Sequence, residues 1–225
     1  MNVKLVAMTP DPLMVIERAA CQCYQSEPTP DGKIAKACYK SGHHSVLEHA
    51  FFTFEIGGIS RACLAQLTRH RLASFSVKSQ RYVNEDDFSY VVPQVAANDP
   101  DALDDFIATT EEIRDAYERF QQKYHWKNED ARMVLPNACC TSLTMSMNLR
   151  ELIHFCNERM CTRAQSEIRD LAYFMAEEVN SATNNAFKDW LVPKCMRYKP
   201  YNFCTERDCC GKSPRLKDVY KKEAK

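Results

Sequence analysis

The stretch Thr68-Arg69-His70-Arg71-Leu72-Ala73-Ser74-Phe75-Ser76-Val77-Lys78-Ser79-Gln80-Arg81-Tyr82 concentrates guanidinium, imidazole and hydroxyl groups as no other segment of the chain does. Arginine's planar fork pairs with phosphate oxygens through two parallel hydrogen bonds, and serine hydroxyls can complete such a cradle. A histidine among them can stack on, or hydrogen-bond to, a ring system. The chemistry this set suits is therefore the binding of a phosphate-bearing ligand with a planar ring. Gln66 lies three residues before Arg69 and four before His70, so a continuing helix presents all three on adjoining faces. The plainer alternative is a solvated basic helix end that complements the helix dipole.

These residues need a scaffold, and the periodicity supplies one. Residues 2–8 read as an opening strand, after which Pro12 starts a helix through Val15, Ile16, Ala19 and Ala20. A second short helix through Ile34, Ala37 and Cys38 stops at Gly42. The aromatic run Phe51-Phe52-Thr53-Phe54-Glu55-Ile56 is β-favouring and is expected to break at Gly57-Gly58. That leaves residues 42–49 as a loop. Ser60 can cap a helix of about three turns, ended by the change of composition over residues 72–79, which read as loop. Residues 93–100 are loop-like, and Pro100 launches the clearest helix, with Leu103, Phe106, Ile107, Thr110, Ile113, Tyr117, Phe120 and Tyr124 on one stripe that reads as core or subunit interface. Residues 138–147 alternate as a half-buried strand. Asn148 with Glu151 forms a capping-box-like start to a helix reaching about Arg159, and Thr162 with Gln165 forms a second before a helix carrying Ile168, Leu171, Ala172, Met175, Val179 and Ala182.

The chain has 225 residues, enough for one large domain. Thirty basic and thirty acidic side chains cancel, which removes the broad positive field of a non-specific nucleic-acid binder, so anion sites must be local. Apolar runs fall short of the roughly 20 residues that span a bilayer, and the start lacks the pattern of a secretory leader. A cytoplasmic protein with neither membrane nor nucleic acid as partner is expected. Among twelve cysteines, Cys38, Cys63, Cys139, Cys156 and Cys161 fall in apolar-periodic segments and read as reduced core thiols. Cys195, Cys204, Cys209 and Cys210 sit in a Lys- and Arg-rich tail without paired CxxC hooks; packing or subunit contact is the expected role, a metal knot the alternative.

Arg69-His70-Arg71, seven residues and then Ser79, continuing to Arg81-Tyr82, resembles the signature of the flavin-dependent thymidylate synthases (the ThyX family). Two further blocks carry the resemblance. Upstream, Gly42-His43-His44-Ser45-Val46-Leu47-Glu48-His49 precedes Phe52-Thr53-Phe54. Downstream, Arg132-Met133-Val134-Leu135-Pro136 precedes Asn148-Leu149-Arg150, His154-Phe155, Asn157, Arg159, Ala164-Gln165 and Glu167-Ile168. Together they cover about residues 1–190.

The resemblance implies an α+β fold, the thymidylate synthase-complementing protein fold, with a mixed sheet and long helices. It implies a domain over residues 1–192, followed by the Cys/Lys-rich tail 193–225, assembled as a homotetramer with active sites shared between subunits. FAD is expected to meet His43, Ser45, Arg69, His70 and Arg71, with Val77 offering a backbone contact only, and Asn148, Arg150 and His154 are expected to complete the flavin site from a neighbouring subunit. The substrate dUMP is expected to meet Gln66, Leu67, Thr68, Arg69, Ser79, Gln80, Arg81 and Arg132, and Arg159 is the expected catalytic group, its fixed positive charge set against the uracil. No metal is expected. The implied reaction is methylation of dUMP to dTMP, with 5,10-methylenetetrahydrofolate as one-carbon donor and NADPH-reduced FAD as hydride source. A non-catalytic flavin- or nucleotide-binding relative is the alternative. The family commonly has Asn-Glu where this chain has Ser76-Val77, and an arginine where it has Cys21. Glu48 and His49 are expected to fix the loop carrying His43 and Ser45, and His125 to be a surface or core residue.

Overall fold

The computed structural model describes residues 1–197 and 202–223. In chain order the elements are β1 (Asn2–Met8), α1 (Pro12–Tyr24), α2 (Lys33–Lys40), β2 (Phe51–Ser60), α3 (Arg61–Leu67), β3 (Ala73–Val77), α4 (Gln94–Ala97), α5 (Pro100–Gln122), α6 (Asn128–Ala131), β4 (Cys140–Asn148), α7 (Leu149–Arg159), α8 (Ser166–Ala182) and α9 (Leu216–Glu223). Short 3₁₀ turns occupy His44–His49, Arg132–Val134 and Lys194–Met196. The class is α+β. The four strands form one sheet in the order β1-β2-β4-β3.

Backbone bonds fix the strand directions. Leu149 N–H donates to Ala50 O at one end of the β2–β4 pair, and Arg61 N–H to Cys139 O at the other, so those strands run antiparallel. The sheet is antiparallel throughout rather than mixed. The reason is connectivity: parallel neighbours need a right-handed crossover, and a sheet with one solvated face gains nothing from one.

The chain forms two compact units. One comprises Met1–Asn2, Glu55–Arg69 and Phe75–Met145; the other comprises Val3–Phe54, His70–Ser74 and Ser146–Lys225. In the first, Asp99 accepts the Ala102 N–H at 3.3 Å and Pro100 opens α5, so cap and proline act together at the helix start. Tyr117 and Thr110 are buried on the expected stripe, whereas Ile107 is exposed and Tyr124 lies beyond the helix end. Ser60 caps α3 by accepting the Cys63 N–H at 2.9 Å. That helix spans only seven residues, so Arg69 and His70 lie beyond it instead of on its faces with Gln66. Residues 73–77, read as loop, form the strand β3, because alternating exposure suits the short run from Ala73 to Val77 at a sheet edge. The expected break at Gly57-Gly58 does not occur either. β2 runs on to Ser60, with Gly58 at φ 69° and its α-carbon facing the Met1 backbone, where a Cβ would stand 3.4 Å from the Met1 nitrogen.

In the second unit α1 packs on α2 and on the 3₁₀ turn at His44–His49, and α7 packs on that turn and on α8. Phe52, Phe155, Ile168, Leu171, Met175 and Val179 are all fully buried, and Phe187 meets Phe52 edge-on at 6.2 Å. Asn148 caps α7 by accepting the Glu151 N–H at 2.9 Å. The second expected box does not form: α8 begins at Ser166 with no side-chain cap from Gln165. The loop expected over 42–49 contains the 3₁₀ turn, pinned by buried Val46 and Leu47.

A buried carboxylate anchors this end of the unit. Glu17 is fully enclosed, and accepts the Thr29 hydroxyl at 2.6 Å, the Thr29 N–H at 3.0 Å and the Ala35 N–H at 2.6 Å, so it satisfies orphan donors at the start of α2. Burial pushes its pKa up, but the hydrogen bonds outweigh that and hold it below the ordinary carboxylate value. A depressed carboxylate contributes stability above its unfolded pKa and loses it as the pH falls through the folded value. Glu17→Ala is expected to cost about 2–4 kcal/mol by stranding these donors, and the Glu17→Gln protein to lose less stability between neutral and acid pH than the parent; thermal unfolding monitored by circular dichroism across that range measures both.

Candidate functional site

The second unit holds a compact polar cluster. His70 leaves the end of the α3 segment in an extended turn and is 5% exposed. Its Nδ1 lies 3.0 Å from Glu151 Oε1, and its Nε2 lies 3.1 Å from the Arg159 Nε, which donates to it. Phe155 meets the imidazole edge-on with ring centroids 5.0 Å apart, and His154 lies tilted by 57° at 5.5 Å. Glu151, His154, Phe155 and Arg159 fall at i, i+3, i+4 and i+8 of α7, one helical face. The Asn148 cap sets where that face begins. Glu151 is 5% exposed, so its charge is held by hydrogen bonding rather than by water. Burial lowers the His70 pKa, and the nearby Arg159 lowers it further, while the hydrogen bond that His70 donates to Glu151 opposes both; the net shift is downward. His70 is neutral at neutral pH.

The ligating atoms of His70, Glu151 and His154 lie within 4.8 Å of one another, the one such group of three among the described residues. Both imidazole nitrogens of His70 already face partners, one of them a guanidinium, so the donors act on each other and oppose a cation. The cluster is a hydrogen-bonded relay in which a carboxylate holds an imidazole and the imidazole holds an arginine. Such a relay can place a fixed positive charge with little freedom of movement.

Around it stand the other residues expected to meet a flavin. Arg71 is exposed next to His70, and His154 offers an exposed ring. Arg150 is exposed near the start of α7 and pairs with Glu48 at 2.5 Å, so Glu48 does fix the 3₁₀ turn, through an arginine read as a ligand; His49 is exposed. His43 and Ser45, also exposed, flank the start of that turn. His44 bonds the Tyr39 carbonyl at 3.1 Å, and Tyr39 stacks between His44 and Trp190. Burial pushes the Tyr39 hydroxyl up to about 12.

The residues expected to hold a nucleotide lie, Arg159 apart, in the first unit. Arg81 donates from Nε and Nη2 to one Glu129 oxygen at 3.2 and 3.1 Å, and its backbone N–H donates to the Ser79 hydroxyl at 3.3 Å. Arg132 donates from Nε to the Glu129 carbonyl at 3.1 Å. One residue thus orders two arginines. The Arg81–Glu129 pair is half exposed and weak, so a phosphate dianion can displace the carboxylate. Lys78 pairs at 2.8 Å with Glu85, whose N–H donates to the buried Tyr117 hydroxyl. Arg69 is exposed beyond α3, and Val77 ends β3. Gln66 donates to the Ala62 carbonyl, and Thr68 to that of Leu64. Leu67 is fully buried and Gln80 points inward at the Cys139 sulfur, so either can meet a ligand only through its backbone. His125 is an exposed residue at φ 56°.

Glu129 and the functional side of Glu151 escape a reading of the sequence alone. Glu151 was legible only as the N3 partner of a cap, and its side chain turns away to His70; Glu129 lies in an acidic first turn that resembles any other. In the tail, Cys209 donates to Ser213 O at 3.2 Å and receives the Gly211 N–H at 3.4 Å, while Arg163 binds Glu206 and Asp208 and Lys194 binds Glu206. Cys161, Cys195, Cys204 and Cys210 line a small cavity of about 20 Å³ there. Of the cysteines read as core, Cys38, Cys63, Cys139 and Cys156 are buried, and Cys161 is half-buried.

The thymidylate synthase complementing protein family model matches residues 4–183. The flavin-dependent thymidylate synthase of Clostridium tetani is 38% identical over 97% of this chain and 96% of its own length, and that of Geobacter sulfurreducens 39% identical over 98% of each. Thymidylate synthase X of Helicobacter pylori, whose crystal structure contains FAD and dUMP, superposes with a TM-score of 0.69 at 29% identity, covering 85% of this chain and 99% of that one. The family match spans most of the chain and the relatives cover nearly all of it, so the chain belongs to the thymidylate synthase complementing protein family.

Proposed function

We propose that this chain is a flavin-dependent thymidylate synthase that reductively methylates dUMP to dTMP. The observation that carries the reading is the Arg159 guanidinium held on the buried, neutral His70, in a chain that matches enzymes of that name along nearly its full length. The donor set fits FAD: Arg69, Arg71 and Arg150 offer exposed guanidinium groups to a pyrophosphate, and His43, Ser45, Asn148 and His154 offer polar edges suited to a ring system. Val77 offers its backbone. When bound and reduced by NADPH, FAD supplies the hydride.

The protein's own part is position and charge. Ser79, Arg81 and Arg132 take the phosphate of dUMP, with Gln66, Arg69 and the backbones of Leu67, Thr68 and Gln80 completing the nucleotide contacts. Arg159 stands against the pyrimidine at N3 and O2. Its charge stabilises the negative charge that develops as C5 attacks the methylene of 5,10-methylenetetrahydrofolate, so no covalent bond from a cysteine is needed. Cys139, which the Gln80 side chain faces, is no candidate nucleophile: burial pushes it up to about 11, far from a thiolate at neutral pH. Ser79 acts as ligand and not as nucleophile. Residues 1–192 form the catalytic domain and residues 193–225 an accessory tail of a cytoplasmic homotetramer with shared active sites. Among the described residues no helix is long and apolar enough to cross a membrane.

An absorbance spectrum of the FAD-supplemented protein, taken anaerobically before and after NADPH with and without dUMP, tests the reading: a bound flavin that bleaches faster with dUMP supports it, and failure to bind flavin refutes it. Arg159→Ala is expected to keep its flavin and lose more than about 100-fold in dTMP formation, the usual scale for removing a charge-stabilising donor. Unchanged turnover in that variant would remove Arg159 from the reaction.

A further inference from the structure

The two contacts of His70 constrain its protonation state more tightly than either does alone. The Arg159 Nε carries one hydrogen and no lone pair, so at 3.1 Å it can only donate, and the His70 Nε2 must accept. A carboxylate has no hydrogen to give, so at 3.0 Å the Nδ1 must donate to Glu151. Of the three available forms, the Nε2–H tautomer sets two lone pairs against each other at Glu151 and two hydrogens against each other at Arg159. The imidazolium satisfies Glu151 but turns an N–H, and a second positive charge, on the guanidinium. Only the neutral Nδ1–H tautomer satisfies both contacts.

We infer that Glu151 is a positioning residue for the reaction: by holding the Nδ1–H of His70 it keeps Nε2 an acceptor, and so aims the Arg159 guanidinium. The inference rests on the reading of Arg159 as the group that meets the pyrimidine. Glu151 reaches no ligand itself; it is 5% exposed and acts through the imidazole. The ring cannot escape by turning, because Phe155 and His154 pack against it at 5.0 and 5.5 Å. Without the carboxylate, only the Arg159 contact distinguishes the two tautomers of the neutral imidazole, and the ring loses the Nδ1 anchor that fixes its orientation towards Arg159.

The titratable and charged groups facing His70 are Glu151, His154 and Arg159 from α7, with Arg69 and Arg71 exposed beside it on its own segment. Protonation of His70 breaks the Nε2 contact, so activity falls on the acid side, below the ordinary imidazole range because the His70 pKa is lowered. Glu151 is the group that opposes this lowering, so removing its charge moves the acid limb further down.

Two measurements on the intact, flavin-loaded protein decide the matter. In ¹⁵N spectra of histidine-labelled wild type at pH 8, with the signal assigned by its loss in His70→Gln, His70 is expected as the Nδ1–H tautomer; an Nε2–H or doubly protonated ring overturns the inference whatever the Glu151 variants do. Glu151→Ala is expected to lower kcat about 10- to 100-fold, as loss of an outer partner of a functional imidazole does, with flavin content and the KM for dUMP little changed. Glu151→Gln, which keeps an acceptor of the same shape, is expected to recover part of that loss and to shift the acid limb of kcat to lower pH. Wild-type kcat in Glu151→Ala, or an unmoved acid limb in Glu151→Gln, overturns the inference. A wild type that makes no dTMP at all refutes the functional reading instead, and leaves the ¹⁵N result to stand by itself.

Discussion

A buried carboxylate beside a buried imidazole is stable only if the imidazole gives it a proton to share, and that requirement shapes the region around His70. Glu151 is placed by the first turn of α7, whose start is set by the Asn148 cap, and Arg159 is placed two turns further along the same face. Moving the helix start by one residue would rotate both away from His70 by about 100°. The Ala50–Leu149 backbone bond at the end of β2 and the packing of α7 on the His44–His49 turn and α8 hold that register. The relay is thus built from secondary structure, which is the most rigid support a protein can give a functional group.

The two units handle their arginines differently, and the difference follows from burial. Arg159 is tethered through a neutral, enclosed imidazole, and a guanidinium held this way loses little mobility on meeting a ligand. Arg81 and Arg132 lie on the surface and both donate to one residue, Glu129, at its side chain and its carbonyl respectively. That exposed pairing is weak enough to yield to a phosphate while still opposing collapse of the arginines onto other acids. An electroneutral chain can bind anionic ligands in this way because each positive charge is committed locally.

Much of this was legible in the sequence, for identifiable reasons. The elements with both a period and a boundary signal were read correctly: α5 with Pro100, β4 with its alternation, α7 with Asn148. The candidate site residues stood out as types, since Arg-His-Arg and its spaced serine and arginine form a pattern that composition alone does not produce. What failed were features decided by tertiary pairing. The strand β3 is too short and too polar to announce itself and exists because β4 offers an edge; β2 continues through Gly58 because only glycine accepts that φ so close to Met1; α3 stops early, taking Arg69 and His70 off the helix. Glu151 was hidden by its own spacing, which satisfies the cap pattern whether or not its side chain is needed elsewhere.

The central claim is that a positioned arginine activates the pyrimidine and that the electrons completing the methyl group come from flavin. Electron balance then fixes the fate of the folate: if the hydride comes from reduced flavin, the methylene donor leaves as tetrahydrofolate, whereas a hydride taken from the folate itself leaves dihydrofolate. Chromatographic identification of the folate product, alongside dTMP, after incubation with dUMP, 5,10-methylenetetrahydrofolate, NADPH and FAD is the most direct test. Tetrahydrofolate formed in step with dTMP is the predicted result; dihydrofolate, or dTMP formed without FAD, would contradict the account.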